Sequence, residues 1–306
     1  MPDIVLAIKV DVDTERGTRI GVPALARLFD EIGIRATFFF SLGPDNTGRA
    51  LRRVFRPGFL QKVRRTSVVS TYGLRTLLNG VLWPGPHIGR RHGPIMRAIR
   101  DAGHEVGIHC YDHIRWQDGL HGMRIGEVRR EFGRARAEFA QVFGSQAKAA
   151  AAAGWQASVN SLTAYDEAEL VYASDARGTS PFFPVMEGER FRTLQIPTTL
   201  PTLDELLGRP DFPDEQLATH YFSLLQRTTV NVLTVHAEIE GMAKYGWFRE
   251  FLTRAVSMRL EFVTLMDIAQ DVLATPGRAV ASELLLGEVD GRSGTLAVQG
   301  NVLRDV

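Results

Sequence analysis

The sequence has a single cysteine, no long apolar run and no acidic residue between residues 46 and 100. It contains one cysteine in 306 residues, which excludes an intrachain disulfide. A reducing compartment is consistent with this, although many secreted bacterial proteins also lack disulfides. No run approaches the roughly 18 apolar residues that a transmembrane helix needs. The chain begins MPDIVLAIKVDVDT, with acidic residues where a signal peptide has basic ones, so we interpret this stretch as a first strand.

Acidic residues are missing between residues 46 and 100, although the formal net charge of the chain is only +1. The same span contains twelve basic residues: Arg49, Arg52, Arg53, Arg56, Lys62, Arg64, Arg65, Arg75, Arg90, Arg91, Arg97 and Arg100. Apolar and aromatic residues lie between them at helical spacing, a pattern typical of a helix in an anionic membrane interface. An ordinary solvated insertion and a nucleic-acid patch remain alternatives.

The rest of the chain alternates between strand and helix patterns. Strand patterns cover 4–13, 35–43, 105–109 and 230–238, helix patterns cover 22–34, 94–104, 124–144 and 247–257, and 261–274 carries one strand and one helix. This alternation predicts a mainly parallel sheet or a barrel. After Pro276 the one recognisable pattern is a hairpin around residues 288–298.

Polar residues gather where three of the predicted strands end. Asp11 and Asp13 end the first strand in DVD, His109 ends EVGIH, and His236 follows VNVLTV. In barrels and open parallel sheets, active sites lie at the C-terminal ends of the strands. We therefore expect these side chains to meet in one site built from several loops.

The segment HEVGIHCYDH places His109 and His113 four residues apart. This spacing alone is weak evidence, because it also arises on a helix face or by chance. A divalent metal needs a third ligand, which Asp13 can supply. Two carboxylates at one strand end repel each other unless a cation or proton lies between them. A metal at this position would leave Asp11 free as a base, whereas the alternative is a solvated loop with incidental acids. Cys110 is expected to point away from His109.

Taken together, these residues resemble the polysaccharide deacetylase (NodB-homology) family, in particular its lipid-linked 4-deoxy-4-formamido-L-arabinose deformylases. The matching segments are DVDTERGTRIGVP (11–23), FFSLGPDNTGR (39–49), HEVGIHCYDHIRWQ (104–117), AAAGW (151–155), SDARG (174–178), QIPTTLPTLDE (195–205) and VHAEIEG (235–241). The resemblance implies an α/β fold, a single distorted (β/α) barrel over residues 1–275. A basic membrane-interface insertion would occupy about 46–93, and a C-terminal tail 276–306.

The resemblance also implies a role for each site residue. Asp11 corresponds to the general base of the family and His236 to its general acid. Asp13, His109 and His113 correspond to the ligands of one divalent ion, expected to be Zn²⁺ with Co²⁺ or Mn²⁺ as alternatives.

The third motif departs from the family pattern. Sugar deacetylases usually carry there an Arg that orients the base, and AKAAAAAGWQ (147–156) contains none. Arg177 is a candidate replacement, and Asp175 a candidate for holding His236 in orientation. Trp155 is expected either to line a sugar pocket or to belong to the core.

The activity implied by the resemblance is hydrolysis of the formamide of undecaprenyl-phosphate 4-deoxy-4-formamido-L-arabinose to the amino sugar and formate. The expected setting is lipid A modification and polymyxin resistance, on the cytoplasmic face of the bacterial inner membrane. The expected partners are this lipid-linked sugar and an anionic membrane surface, and no nucleic acid. Alternatives are a metal-dependent deacetylase or amidase on another N-acyl sugar, and a catalytically silent membrane-surface glycan-binding protein.

Overall fold

The computed structural model describes residues 4–50 and 76–303, and within them the strands form one sheet. The strands are β1 Val5–Val12, β2 Thr37–Ser41, β3 Glu105–Cys110, β4 Ala149–Ala150, β5 Tyr172–Ala173, β6 Phe182–Met186, β7 Glu189–Arg190, β8 Leu194–Gln195, β9 Asn231–His236, β10 Glu261–Val263, β11 Val280–Gly287 and β12 Leu296–Val302. Their hydrogen-bonded order is β10-β1-β2-β3-β4-β5-β8-β6-β11-β12, with β9 paired to β1 and β7 paired to β6. The pairing is parallel from β10 through β8, so the C-terminal ends of these strands meet at one edge.

Among the described residues, helices pack against both faces of this sheet. They are α1 Val22–Ile32, α2 Ile88–Asp101, α3 His113–Gly119, α4 Ile125–Phe143, α5 Val159–Glu167, α6 Leu203–Leu206, α7 Leu217–Leu224, α8 Tyr245–Ser257 and α9 Leu265–Ala274. The larger core cluster joins α1 through α8 to alternate strand residues such as Val10, Phe38 and Ile108, whereas α9 packs on the opposite side through Leu265 and Ile268. The strand residues between them, including Ala7 and Phe39, face a second, smaller cluster. Successive strand side chains point to opposite faces, so Lys9 and Asp11 share the inner face with Ala7.

The hydrogen-bonded strands of the sheet do not close into a full ring over the described residues. Beyond β8, however, the backbone N–H groups of Thr199 and Leu200 donate to the carbonyl of Val232 in β9, at 3.1 and 3.2 Å. The Thr198 and Thr234 hydroxyls add a contact of 2.7 Å. Because β9 also pairs with β1, these bonds link the two ends of the parallel strands around the inner face.

The α/β prediction is confirmed, and the predicted strands and helices have counterparts. One boundary differs, because α2 begins at Ile88 and runs through Pro94. A proline usually marks a helix start, which is why the pattern placed the start at residue 94. His92 departs from helical geometry (φ −120°, ψ 17°), and this kink relieves the clash that a proline otherwise causes.

The region after residue 276 contributes two strands to the sheet. β11 pairs with β6 in parallel, and β12 pairs with β11 as an antiparallel hairpin, as the sequence predicted. The domain division at residue 275 stays a prediction. Over the described ranges, no helix is both long and apolar enough to cross a bilayer.

Most of the predicted basic insertion lies outside the described residues, since these omit 51–75. Its ends are described and lie together: Gly48 N–H donates to the Asn79 carbonyl at 2.9 Å, and Asp45 N–H to the Pro86 carbonyl at 2.9 Å.

Two π-helical turns, Gly17–Gly21 and Ile239–Ala243, follow β1 and β9 and pack on each other. The contact requires glycine, because a Cβ on Gly21 would lie 2.0 Å from the carbonyl oxygen of Ala237. A Cβ on Gly241 would similarly lie 2.8 Å from the Cα of Gly21. The loops that follow Asp13 and His236 are therefore in backbone contact.

We predict that Gly21→Ala lowers the free energy of unfolding by about 1–3 kcal/mol, the usual cost of overpacking. Gly133→Ala is the matched control, because its Cβ would meet nothing within 4 Å on the exposed side of α4. It should raise the free energy of unfolding by up to about 1 kcal/mol through helix propensity. Urea unfolding measures both, and equal effects would contradict the close packing of the two turns.

Candidate active site

Strands β1 and β9 bring the predicted base and acid side by side. Asp11 is the register partner of His236 in this parallel pair, and the Ala237 N–H donates to the Asp11 carbonyl at 3.1 Å. Both side chains are buried. Sequence alone placed each at a strand end, whereas the pairing of β1 with β9 makes them neighbours.

Asp13, His109 and His113 form a compact group at the end of β1, β3 and the start of α3. Asp13 Oδ1 lies 3.2 Å from His109 Nε2 and 3.4 Å from His113 Nε2. One ligand atom from each residue lies within 4.8 Å of the other two. The side chain of Asp112 accepts from the Arg115 N–H at 3.0 Å and caps α3, which fixes the orientation of His113 at its first turn.

This group has the properties of a cation site. Asp13 Oδ1 is buried, yet it makes no hydrogen bond to any described residue despite its short distances to the two imidazoles. Burial opposes the charge of Asp13, but the neighbouring His113 and His109 outweigh it and hold its pKa well below the usual range. Ligand atoms that converge without hydrogen bonding to one another fit a divalent ion, and one carboxylate with two imidazoles is a common set.

Glu238, two residues after His236, holds the loop that carries Asp13. Its Oε1 accepts from the Asp13 N–H at 3.2 Å, the Thr14 N–H at 2.9 Å and the Thr14 hydroxyl at 2.7 Å. A Cβ on Gly17 would lie 2.0 Å from the same oxygen, so a larger residue there would displace the Glu238 carboxylate. Burial, followed by the charge of Asp13, raises the pKa of Glu238 to about 8. Glu238 is thus a buried support of the loop that carries Asp13, a role for which the sequence has no local signal.

The structure does not bring Asp175 and Arg177 to the positions expected from the sequence. Asp175 accepts from the Ala152 N–H at 2.7 Å and the Gln195 side chain at 3.3 Å, and burial raises its pKa to about 6. His236 Nδ1 has no hydrogen-bond partner among the described residues, so no such bond joins it to Asp175.

Arg177 turns toward α6 instead of toward Asp11. It donates to Glu205 Oε1 at 2.6 Å and to the Leu200 carbonyl at 2.9 Å. Arg177 therefore pairs with Glu205, which the fold brings near, and not with Asp11. Another residue makes the contact with Asp11.

Lys9 makes that contact, which was not predicted from the sequence. Its Nζ lies 3.2 Å from Asp11 Oδ2 and donates to the Ser174 carbonyl at 3.1 Å, with the side chain fully buried. Burial lowers the pKa of Lys9, although Asp11 acts in the opposite direction. The available signal was a lysine two residues before Asp11 on the same face of a buried strand.

Arg292 is a second residue that the sequence analysis missed. The loop between β11 and β12 carries its guanidinium to 4.4 Å from the Trp155 ring, and Nη1 lies 3.2 Å from Glu205 Oε1. Trp155 is itself buried, with φ +54°, and its ring lies edge-on to His236 at 6.2 Å between centroids. Trp155 is thus a core residue that also borders the site.

Cys110 points away from His109, as predicted. Its Sγ lies 3.3 Å from the Ser41 hydroxyl, within the larger core cluster. Burial raises the pKa of the Cys110 thiol well above its usual value, so a thiolate ligand is disfavoured.

Fold and site together define a class: an α/β protein with a candidate mononuclear metal centre, flanked by a carboxylate and an imidazole, at the C-terminal ends of parallel strands. The chain belongs to the polysaccharide deacetylase family, whose model matches residues 6–173.

Two curated relatives match nearly the whole chain. A probable 4-deoxy-4-formamido-L-arabinose-phosphoundecaprenol deformylase ArnD from Shewanella sediminis is 36% identical over 299 residues, covering 97% of this chain and 95% of the relative. A protein of the same description from Wigglesworthia glossinidia brevipalpis is 32% identical, covering 94% of this chain and all of the relative. A solved structure from Mycobacterium smegmatis, described as a polysaccharide deacetylase, has a TM-score of 0.64 at 18% identity and covers 94% of this chain and 96% of its own. That likeness shows the fold.

We predict that His113→Ala weakens Zn²⁺ or Co²⁺ binding by more than the roughly 10–100-fold that loss of an outer partner costs in metal sites. Calorimetric titration of the purified protein measures this. His121→Ala is the matched control, since His121 contacts Gln156 and lies outside the three-residue group. Unchanged affinity in the His113 variant would show that these residues do not form the ion site.

Proposed function

We propose that this protein is a metal-dependent deformylase that hydrolyses the formamide of undecaprenyl-phosphate 4-deoxy-4-formamido-L-arabinose to the amino sugar and formate. The observation that carries the proposal is the position of Asp11 and His236, register partners beside the Asp13–His109–His113 group. The identity of 36% to a relative described as a deformylase of that lipid-linked sugar supports the substrate. The corresponding role is lipid A modification and polymyxin resistance.

A divalent ion, which we infer to be Zn²⁺ with Co²⁺ or Mn²⁺ as alternatives, would be held by Asp13, His109 and His113. When bound there, it supplies Lewis-acid polarisation of a carbonyl oxygen and water that is nucleophilic near neutral pH. The ligand set alone is also that of non-haem iron oxygenases. A carboxylate and an imidazole placed for proton transfer favour hydrolysis, and elemental analysis of the purified protein distinguishes these metals.

Asp11 and His236 divide the proton transfers of the reaction. Asp11 Oδ1, which has no hydrogen-bond partner among the described residues, accepts a proton from the attacking water. The water oxygen bonds to the formyl carbon, and the carbon–nitrogen bond then breaks. His236 donates a proton to the departing nitrogen, which leaves as the sugar amine while formate is released. The ring of Trp155 packs edge-on to His236 and limits its rotation.

We predict that Asp11→Asn binds the ion with unchanged affinity but releases formate about 10²–10⁴-fold more slowly, the usual contribution of a general base. Formate release from the lipid-linked formamido sugar, with an N-acetyl sugar assayed in parallel, measures this. Faster release of acetate than of formate would favour a deacetylase instead. Near-parental turnover of the Asp11 variant would require another base.

The membrane association of the protein is also a proposal. A polyprenyl-linked substrate cannot leave its bilayer, so we infer that the enzyme acts on the cytoplasmic face of the bacterial inner membrane, as a peripheral protein. Next to the undescribed part of the basic insertion, Val81, Leu82 and Trp83 are 53%, 66% and 42% exposed. Consecutive exposed apolar residues beside basic residues suit the headgroup and acyl boundary.

The first residues of this insertion lie close to the candidate metal centre. The Asn46 side chain donates to Asp112 Oδ2 at 2.6 Å, and Asp112 caps the helix that begins at His113. Arg49 Nη1 lies 3.9 Å from the same carboxylate. Docking of the insertion would therefore place the membrane next to the candidate metal centre.

We predict that Leu82→Asp with Trp83→Ser reduces sedimentation with anionic liposomes, because an exposed apolar contact is replaced by a charge and a hydroxyl. Leu273→Asp is the control, since Leu273 is 47% exposed on α9, far in sequence from the insertion. Hydrolysis of a short-chain, water-soluble analogue should persist. If binding of the double variant equalled that of the control, the residues would belong to a solvated insertion.

A further inference from the structure

Lys9 is a fully buried charged side chain inside the sheet. It lies on β1 two residues before Asp11, and both point to the inner face. Its Nζ has two polar neighbours, Asp11 Oδ2 at 3.2 Å and the Ser174 carbonyl at 3.1 Å. The rings of Phe39 and Trp155 lie 5.8 and 5.1 Å from the ammonium.

Packing alone does not account for a lysine here. The inner cluster around it is apolar, with Ala7, Phe39, Tyr172 and Leu194 among its members. Desolvating an ammonium costs several kcal/mol, and apolar residues of similar volume often replace a buried ion pair without loss of stability. Methionine would fill the same volume, so the charge points to an electrostatic role, and Asp11 is the carboxylate that Lys9 contacts directly.

The contact makes the two oxygens of Asp11 unequal. Oδ2 is held by Lys9, whereas Oδ1 has no hydrogen-bond partner among the described residues. Oδ1 lies 4.0 Å from His109 Nδ1, the ring nitrogen that does not approach Asp13, so it lies beside one of the candidate ligands. A carboxylate with one oxygen fixed and the other free presents a single, defined proton acceptor.

Other cations near the site do not make this contact. Arg177 is bound to Glu205 and the Leu200 carbonyl. The Arg292 Nη1 lies 3.2 Å from Glu205 Oε1 and 3.9 Å from Asp204 Oδ2. Within residues 4–50 and 76–303, Lys9 is the one lysine or arginine that forms an ion pair with Asp11.

We propose that Lys9 is a positioning residue, which holds Asp11 through Oδ2 so that Oδ1 stays directed at the substrate water. This inference rests on the proposed function, in which Asp11 is the base. Among the described residues, the contacts of Lys9 Nζ are with Asp11 and the Ser174 carbonyl, and none is with the three candidate ligands. It is therefore expected to act on turnover, and not on substrate or metal affinity.

The test compares Lys9→Met and Lys9→Arg in the full-length protein loaded with Zn²⁺. Lys9→Met should lower kcat by about 10²-fold, the usual effect of a misplaced reacting group, with KM and the calorimetric Zn²⁺ affinity near parental values. Lys9→Arg keeps a cation beside Oδ2 and should recover part of the loss. Lys244→Met is the matched control, because Lys244 Nζ lies 2.9 Å from Asp214 Oδ2 in an exposed pair.

A double variant separates positioning from a general packing defect. If Lys9 acts through Asp11, Lys9→Met with Asp11→Asn should be no slower than Asp11→Asn alone, because residues that act as a unit are not additive. Additive losses, or equal losses in the methionine and arginine variants, would overturn the proposal. So would parental kcat in Lys9→Met.

Two further outcomes are distinguishable. If Lys9→Met does not fold by circular dichroism while Lys9→Arg folds with parental kcat and Lys9→Gln folds with reduced kcat, the cation is required and the proposal stands. If all folded variants match the parent, it fails. Parental turnover of Asp11→Asn would instead overturn the proposed function, independently of Lys9.

Discussion

Charge buried on one face of a central strand constrains much of this structure. β1 directs Lys9 and Asp11 to the inner side of the sheet, where water is largely excluded, and Asp13 follows the last residue of the strand. An isolated buried charge is unfavourable by several kcal/mol, so each of the three needs a partner. Lys9 and Asp11 satisfy each other at 3.2 Å, while Asp13 lies against two imidazoles. The two imidazoles come from the end of β3 and from the first residue of α3, and β9, which pairs with β1, carries His236 beside Asp11.

Backbone contacts then fix the position of the loops. The two π-helical turns meet through Gly21 and Gly241, where no side chain fits. Glu238 reaches from the second turn to the N–H groups of Asp13 and Thr14. Single-turn π-helical segments often occur at functional sites. Here they allow the loops after β1 and β9 to approach within hydrogen-bonding distance, which holds the metal loop against the strand that carries His236.

The sequence predicted the local elements well, and their long-range partners poorly. Periodicity identified β1, β2, β3 and β9 with small errors at their ends, because each has a continuous apolar pattern. β4, β5 and β8 comprise two residues each, too few for any period to be visible. The three metal-ligand candidates could be predicted because a strand end and a helix start both have local signals.

The partners of the charged residues could not be predicted without knowledge of the fold. Arg177 was expected near Asp11, but Glu205 takes its guanidinium, and that carboxylate is brought in by α6. Lys9 has no local signal that separates it from the other residues of the first strand, since alternation does not show which face is inside a barrel-like sheet. Arg292 lies in a region with no pattern except its hairpin, and its contact with Trp155 joins segments more than a hundred residues apart.

The residues of the candidate site come from two distant segments of the chain, which the pairing of β1 with β9 brings together. The family model covers residues 6–173, which include Lys9 and Asp11 as well as all three candidate ligands. His236 and Arg292 lie beyond it. An isolated first segment would contain the candidate ion site without His236, the proposed proton donor, and the later segment would contain His236 without the candidate ligands. Six register pairs between β1 and β9, from Leu6–Asn231 to Asp11–His236, unite them. The strand that carries the buried charges is thus also the strand that assembles the reaction centre.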